Sequence, residues 1–289
     1  MARRDASAIS PTAYYTSAVW LHHGLSHPAF AHLNSHLYYY GLKGPQMAFK
    51  LLGGPTLDDF LLARHQIIDH ELDAAIRDEG ITQVIEIAAG LSPRGWRFAE
   101  RFRDSLTYIE ADLPGMAERK RKLLKHGGID SDHHHVLDID AFASDGASLE
   151  AIARTLDPAR GLVIITEGLV NYFDTDTVAG LWTRIAAVLK RFSKGIYLSD
   201  LHVQSVNQGM SVQAFMGALS TFVRGRVHLH FSGETQACEQ LLASGFDWAQ
   251  LLTPSDYRQI LPDCNRSGAD LVRVVKARCG ALPSAHAPS

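Results

Sequence analysis

Four acidic residues stand at or beside the ends of apolar runs in this chain: Asp112 after Leu106 to Ala111, Asp138 in His135 to Ile139, Glu167 after Leu162 to Thr166, and Asp200 after Ile196 to Ser199. Carboxylates so placed can accept hydrogen bonds from ribose hydroxyls or pair with an ammonium. Arg64 supplies the opposite charge. It falls on the apolar stripe of a helical pattern over Leu57 to Ile76, with Leu61, Ile68, Leu72 and Ala75 at spacings of three and four. An arginine aimed inward needs an anion, and a small-molecule carboxylate and a structural acid are both open to it; a snorkelling side chain is the further alternative. Arg94 poses a related question, because a cation in the first turn of a helix opposes the helix dipole. Either an acidic partner or a ligand contact would explain it.

These residues must be positioned by the stretch from Thr82 to Pro114. It reads as a strand (Gln83 to Ala88), a small-residue turn (Ala88, Ala89, Gly90), a helix with Ser92 as N-cap and Pro93 at its first position, and a second strand ending in Asp112. Alanine and glycine in the turn let a ligand approach the backbone, and the carboxylate about twenty residues on suits a ribose. Further along, the chain alternates a helix over Pro114 to Lys125, the strand His135 to Ile139, a helix near Leu149 to Leu156, the strand Leu162 to Thr166, a helix over Asp174 to Arg191, and the strand Ile196 to Ser199. Five strands alternating with helices predict a doubly wound, parallel α/β sheet, whose ligands bind outside the carboxyl ends of the strands.

After Asp200 the alternation breaks. Val212, Phe215, Met216, Leu219, Phe222 and Val223 form a helical apolar stripe that reads as core or as a roof over substrate, and Val227, Leu229 and Phe231 alternate like a strand. A helix over Glu234 to Ala243 leads to Phe246 to Leu252 and to a strand over Leu271 to Lys276, which can add an antiparallel edge. Residues 280–289 read as a disordered tail. The aromatic segment from Ser10 to Gly54, including Tyr38, Tyr39 and Tyr40, suits short helices over a pocket or an ordinary aromatic core.

With 28 basic and 31 acidic residues and a net charge of −3, the 289-residue chain has no general electrostatic footprint for nucleic acid. Cys238, Cys264 and Cys279 are too few and too far apart for a disulfide framework or a cysteine zinc site. No apolar run approaches the roughly 18 residues of a membrane span, and residues 1–10 lack a secretory apolar core. A cytoplasmic protein without membrane or nucleic-acid partners is expected. The consecutive His133, His134 and His135 cannot all face one metal from a strand, so a polar start to the strand is preferred over a metal site.

A dinucleotide turn would carry GxGxxG, whereas this chain has Ala88 first and Pro93 third. A pyrophosphate cradle is therefore disfavoured, and a ligand without phosphate suits the turn better; S-adenosyl-L-methionine is such a ligand. At this level the motifs Ser10-Pro-Thr-Ala-Tyr-Tyr, Arg64-His-Gln-Ile-Ile-Asp, Glu86-Ile-Ala-Ala-Gly-Leu-Ser-Pro-Arg-Gly-Trp-Arg-Phe, Glu110-Ala-Asp-Leu-Pro and Thr166-Glu-Gly-Leu-Val-Asn-Tyr-Phe occur in an order that resembles the leucine carboxyl methyltransferase superfamily, in its bacterial polyketide-type O-methyltransferase branch. The resemblance implies a class I methyltransferase: a Rossmann-like, mostly parallel seven-stranded sheet with a helical cap over residues 1–80, a core over 81–279 and an insert near 204–231.

It also implies that Arg64 meets the methionine carboxylate, that the backbone at Ala88 to Gly90 lines the cofactor, and that Asp112 holds the ribose. Asp138 and Ile139 would border the adenine, Glu167 would face the ammonium, and Glu86 at the head of its motif is counted with the cofactor-binding residues. Where the family has glycine and Asp-Thr, this chain has Ala88 and Ser92-Pro93. The expected activity is O-methylation of a small molecule with S-adenosyl-L-homocysteine as product and no metal. By resemblance the acceptor is a carboxylate of a secondary metabolite, with a hydroxyl or phenol as runner-up and a non-catalytic cofactor-binding protein as the competing class. Tyr14, Tyr15, Arg94, Tyr172 and His202 are the candidates for the acceptor pocket. The sequence carries no signal for an oligomeric state.

Overall fold

The computed structural model describes residues 11–31, 35–37, 39–41, 54–206 and 228–280. Its five apolar runs become β1 (Gln83–Ile87), β2 (Thr107–Asp112), β3 (His134–Asp138), β4 (Leu162–Thr166) and β5 (Gly195–Leu201), all mutually parallel where they pair. β6 (Trp248–Leu252) and β7 (Arg273–Cys279) complete one seven-stranded sheet in the order β3-β2-β1-β4-β5-β7-β6. β7 runs antiparallel to both its neighbours, which makes the expected antiparallel edge. Strand order reverses between β1 and β4, and in sheets of this kind ligands bind outside the carboxyl ends at such a switch point.

The helices are α1 (Pro11–His22), α2 (Leu57–Glu79), α3 (Arg94–Phe102), α4 (Pro114–Gly127), α5 (Leu149–Ala153), α6 (Thr175–Leu189) and α7 (Glu234–Ala243). Apolar residues on both faces of the central strands demand two covering layers. On one face Ile85, Ile87 and Ile164 pack with Ile152, Trp182 and Leu241 of α5, α6 and α7. On the other, Val84, Val163 and Ile196 pack with Ile67, Ile68 and Leu72 of α2 and Phe98 of α3. α2 is thus a layer of the sheet itself. Its ends are set by the Asp59 carboxylate, which accepts the Thr56 N–H at 2.9 Å, and by Gly80 in the left-handed region at φ 71°. α1 joins neither layer; Tyr15, Val19 and Trp20 pack on Leu57, Phe60 and Leu61 at the start of α2.

Two local expectations are corrected. α3 begins at Arg94 with Pro93 as its N-cap, and Ser92 sits one residue earlier, its Oγ accepting the Arg94 N–H at 3.3 Å. Leu229 and Phe231 lie outside any strand: the backbone N–H groups of Gln204 and Ser205 bond to Phe231 and Ser232, a local link that builds no ladder. Tyr38, the stripe Val212 to Val223, Val227 and residues 281–289 lie outside the described residues. Among those that are described, no helix is long and apolar enough to cross a membrane.

Candidate active site

At the end of β4 the chain turns through Glu167 and Gly168. Gly168 has φ 72°, and a Cβ there would lie 3.0 Å from Arg64 Nη2, so glycine lets the guanidinium rest against the backbone. Arg64 reaches this turn from α2, donating from Nε to Glu167 Oε1 at 3.0 Å and from Nη1 to Asp200 Oδ2 at 2.6 Å. Asp200 in turn accepts the Gly168 N–H at 2.6 Å. The inward arginine therefore has acidic partners from two strand ends. Its Nη2 makes no hydrogen bond among the described residues, which leaves one face of the fork for a further anion.

Arg94 is wholly buried and distributes its donors over three carboxylates: Nε to Asp69 at 2.5 Å, Nη1 to Glu86 at 2.7 Å and Nη2 to Glu167 at 2.6 Å. The cation in the first turn of α3 thus has acidic partners, three of them, in a buried setting. Glu86 is buried beside it: one oxygen takes Arg94 and the other accepts the Tyr108 hydroxyl at 2.5 Å. His65, stacked on Trp20 of α1 with ring centroids 4.2 Å apart, places Nδ1 2.9 Å from Glu167 Oε2. Burial would raise the Glu167 carboxyl, but His65, Arg94 and Arg64 outweigh it and hold the group well below the usual carboxylate range. Asp69, against the same burial, is held at about 2 by His65, Arg97 and Arg94.

The turn after β1 forms the other end. Ala88 sits at φ 55°, a left-handed conformation that costs a non-glycine residue about 1 kcal/mol or more. Its N–H bonds to the Ala111 carbonyl at 2.7 Å. Asp112 bends back over this turn and accepts the Gly90 N–H on Oδ2 and the Leu113 N–H on Oδ1, each at 2.7 Å. Each oxygen keeps a second lone pair, the capacity that a ribose diol would use. Burial raises the Asp112 carboxyl, with the two N–H bonds and Lys120 opposing. Lys120, itself buried, donates to the Ser92 carbonyl at 2.7 Å and pairs with Glu110, fixing the far side of the turn. Ala13 of α1 covers Gly90, 3.8 Å from where a Cβ would stand.

The neighbouring strand end carries Ile139, whose N–H bonds to the Asp112 carbonyl at 2.8 Å, and Asp138, which is exposed and paired with Arg121 at 2.9 Å. Of the remaining candidates, Tyr15 donates its hydroxyl to Asp58 at 2.6 Å, and Tyr14 packs with Leu91 and Met116 under the Arg119 guanidinium. Both are buried, and both anchor α1. Tyr172 lies in a 3-10 turn (Val170–Tyr172) close enough to Arg64 to act on its charge. His202 is buried just past β5. His65, Asp69 and Lys120 were not singled out by sequence. His65 and Asp69 carried a signal, since their spacing of four puts both on one side of α2, beginning one residue after Arg64. Of the histidine triplet, His134 lies 2.9 Å from Glu110, and His133 lies 2.9 Å from Asp104.

The family model described as leucine carboxyl methyltransferase matches residues 42–186, half of the 289-residue chain. The chain belongs to the leucine carboxyl methyltransferase family. A provisionally named S-adenosyl-L-methionine-dependent methyltransferase of Mycobacterium leprae is 33% identical over 109 residues, 37% of this chain and 35% of that protein. The chain spans roughly a third to two fifths of the length of the curated relatives it matches, 35% to 40%. Among solved structures, a DUF574 family protein from Streptomyces avermitilis superposes with a TM-score of 0.65 at 13% identity, covering 95% of this chain and 99% of that one. A provisionally named methyltransferase from Thermobifida fusca gives 0.62 at 15% identity, covering 96% and 97%. At such identities the likeness speaks to the fold alone: this leucine carboxyl methyltransferase family member has a seven-stranded, mostly parallel sheet with flanking helices, the class I methyltransferase architecture.

Proposed function

We propose that the protein transfers the methyl group of S-adenosyl-L-methionine to an oxygen of a small molecule and releases S-adenosyl-L-homocysteine. One observation carries this reading: a single rim of the sheet holds a guanidinium with a free face, Arg64 Nη2, beside the Glu167 carboxylate, and a second carboxylate with spare lone pairs, Asp112, over the turn after β1. Those donors and acceptors match a zwitterionic tail and a ribose, and none of them asks for a phosphate. Arg64 would hold the methionine carboxylate, Glu167 the ammonium and Asp112 the ribose hydroxyls, with Asp138 and Ile139 bordering the adenine and the Ala88 to Gly90 backbone lining it. α1 would serve as cover, and α2, which packs on the sheet, would belong with the core over 81–279.

The bound sulfonium supplies an activated methyl group, and transfer from it is an in-line displacement. The chain's task is then alignment and exclusion of water. The family resemblance favours a carboxylate acceptor of a secondary metabolite. With a pKa near 4 such a group is ionised at neutral pH, and a dry site under α1 favours a reaction in which opposite charges are lost. A hydroxyl, with a pKa near 10 for a phenol, is the other oxygen acceptor, and it requires a base. Calorimetry with S-adenosyl-L-homocysteine tests the reading, followed by labelled-methyl transfer to small aromatic acids and phenols. Binding and transfer are expected, and a folded protein that fails to bind the homocysteine product rejects it.

A further inference from the structure

His202 is the one acceptor-pocket candidate whose ring has a defined free nitrogen. Its Nδ1 lies 2.8 Å from the Leu271 carbonyl oxygen, an atom that only accepts, so the ring proton sits on Nδ1 and Nε2 keeps its lone pair. The residue is held at its backbone and at two places on its ring. Its own backbone N–H bonds to Asn171 Oδ1 at 3.2 Å, Phe60 of α2 meets it edge-on at 5.2 Å between centroids, and Leu271 holds the far edge. Nε2 makes no hydrogen bond among the described residues, although the residue is only 4% exposed. The charged groups acting on the ring are Asp200 from β5 and Arg64 from α2, the same pair that meets the Glu167 turn. Burial, with Arg64 adding and Asp200 and the Leu271 carbonyl opposing, lowers the imidazole below its ordinary value and keeps it neutral.

Resting on the methyl-transfer reading above, we infer that His202 is the general base of the reaction and that the acceptor is a hydroxyl, a phenol or an alcohol, in place of the carboxylate favoured by resemblance. A neutral imidazole with a lone pair on Nε2, close enough to the strand-end pair Asp200 and Arg64 to feel both charges, repels the lone pairs of a carboxylate and accepts the proton of a hydroxyl. In the step the O–H bond breaks and its proton goes to Nε2. The oxygen pair forms the bond to the methyl carbon, and the carbon–sulfur pair stays on sulfur, so the donor leaves as a neutral thioether. The imidazolium so formed is met by Asp200, and its proton passes to water after product departs.

His202→Asn is the informative variant. Its side-chain N–H can take the place of Nδ1 toward Leu271, while the basic Nε2 is removed with the rest of the ring. The first measurement needs no acceptor: nitrogen-15 imidazole spectra of the full chain, alone and with S-adenosyl-L-homocysteine, are expected to show the Nδ1–H tautomer at pH 7 with a midpoint below 6.5. An Nε2–H tautomer, or a charged ring at pH 7, overturns the inference. The second compares labelled-methyl transfer to 4-methylphenol and 4-methylbenzoate, matched in shape. Transfer to the phenol is expected, rising with pH through the histidine midpoint. It should fall at least about 100-fold in His202→Asn, with the pH limb abolished and affinity for S-adenosyl-L-homocysteine unchanged. Methyl ester formation that is as fast in His202→Asn as in the wild type overturns the inference. If neither probe is methylated the imidazole spectra decide, whereas failure to bind S-adenosyl-L-homocysteine counts against the methyl-transfer reading and leaves His202 aside.

Discussion

The end of the site at Glu167 and the end at Asp112 reach the same rim by opposite means. At Glu167, Arg64, Arg94 and His65 converge on one carboxylate, and Arg94 carries the connection on to Asp69 and Glu86. At Asp112, the backbone N–H groups of Gly90 and Leu113 hold the carboxylate, and the turn beneath it contains an alanine in a left-handed conformation. An ion network of this kind has its geometry fixed before any ligand arrives, because removing one charge leaves others buried and unmatched. A backbone-held carboxylate over a strained turn has no such redundancy. The first end is expensive to break and the second is easy to retune.

The largest predicted effect comes from cutting the network at its hub. Arg94→Met takes from Glu86 its cationic partner and from Asp69 and Glu167 one partner each, and should cost about 3 to 5 kcal/mol of unfolding free energy in a urea titration. A loss below about 1 kcal/mol would erase the contrast between the two ends. Next come the ligand-facing groups. Arg64→Ala should weaken S-adenosyl-L-homocysteine by about 1 to 3 kcal/mol and leave adenosine nearly untouched, whereas Asp112→Ala should weaken both by a similar amount. Equal losses of adenosine in the two variants, read by calorimetry, would make Arg64 purely structural.

Acid separates the ends by sign. Glu167 and Asp69 lie below their ordinary values of 4.5 and 3.8, Asp69 at about 2. On acidification the unfolded chain takes up their protons first, so their stabilisation is complete above that range and is lost as the pH falls from about 4.5 toward 2. Asp112 is raised above 3.8, so the folded state takes up its proton first. The stability of the wild type relative to Asp112→Asn should therefore improve as pH falls through the window just above 3.8, measured by unfolding at stepped pH. A difference that is flat or of opposite slope would remove the burial effect from Asp112. The smallest effect is at the turn: Ala88→Gly should relieve the left-handed strain and stabilise the fold by up to about 1 kcal/mol, since relief is offset by the added freedom of glycine in the unfolded chain. Destabilisation would show that the alanine methyl is needed for packing.

Strand periodicity made the rim legible before any coordinates, because an acid that closes an apolar run has to stand where the strand leaves the sheet. The same logic cut β5 short. It was expected to stop at Ser199 before the acid, yet the ladder runs to Leu201 because β7 pairs along it from Cys279 to Arg273, a partner far away in sequence. Arg94 was legible as a problem and not as a solution. Its partners lie 25, 8 and 73 residues away on three elements, and no local pattern joins them. The motif that begins at Glu86 marks a neighbourhood only, and it gave no sign that the carboxylate meets both Tyr108 and Arg94. The free nitrogen of His202 depends on a carbonyl 69 residues further on.

α1 touches both ends at once, with Ala13 over Gly90 and Trp20 stacked on His65. A displacement of that helix large enough to admit a cofactor would disturb the indole as well as the glycine. The chain thereby carries its own optical reporter: Trp20 emission, isolated by replacing the other tryptophans with phenylalanine, would time the uncovering of the turn in a stopped-flow mixing experiment without any attached label.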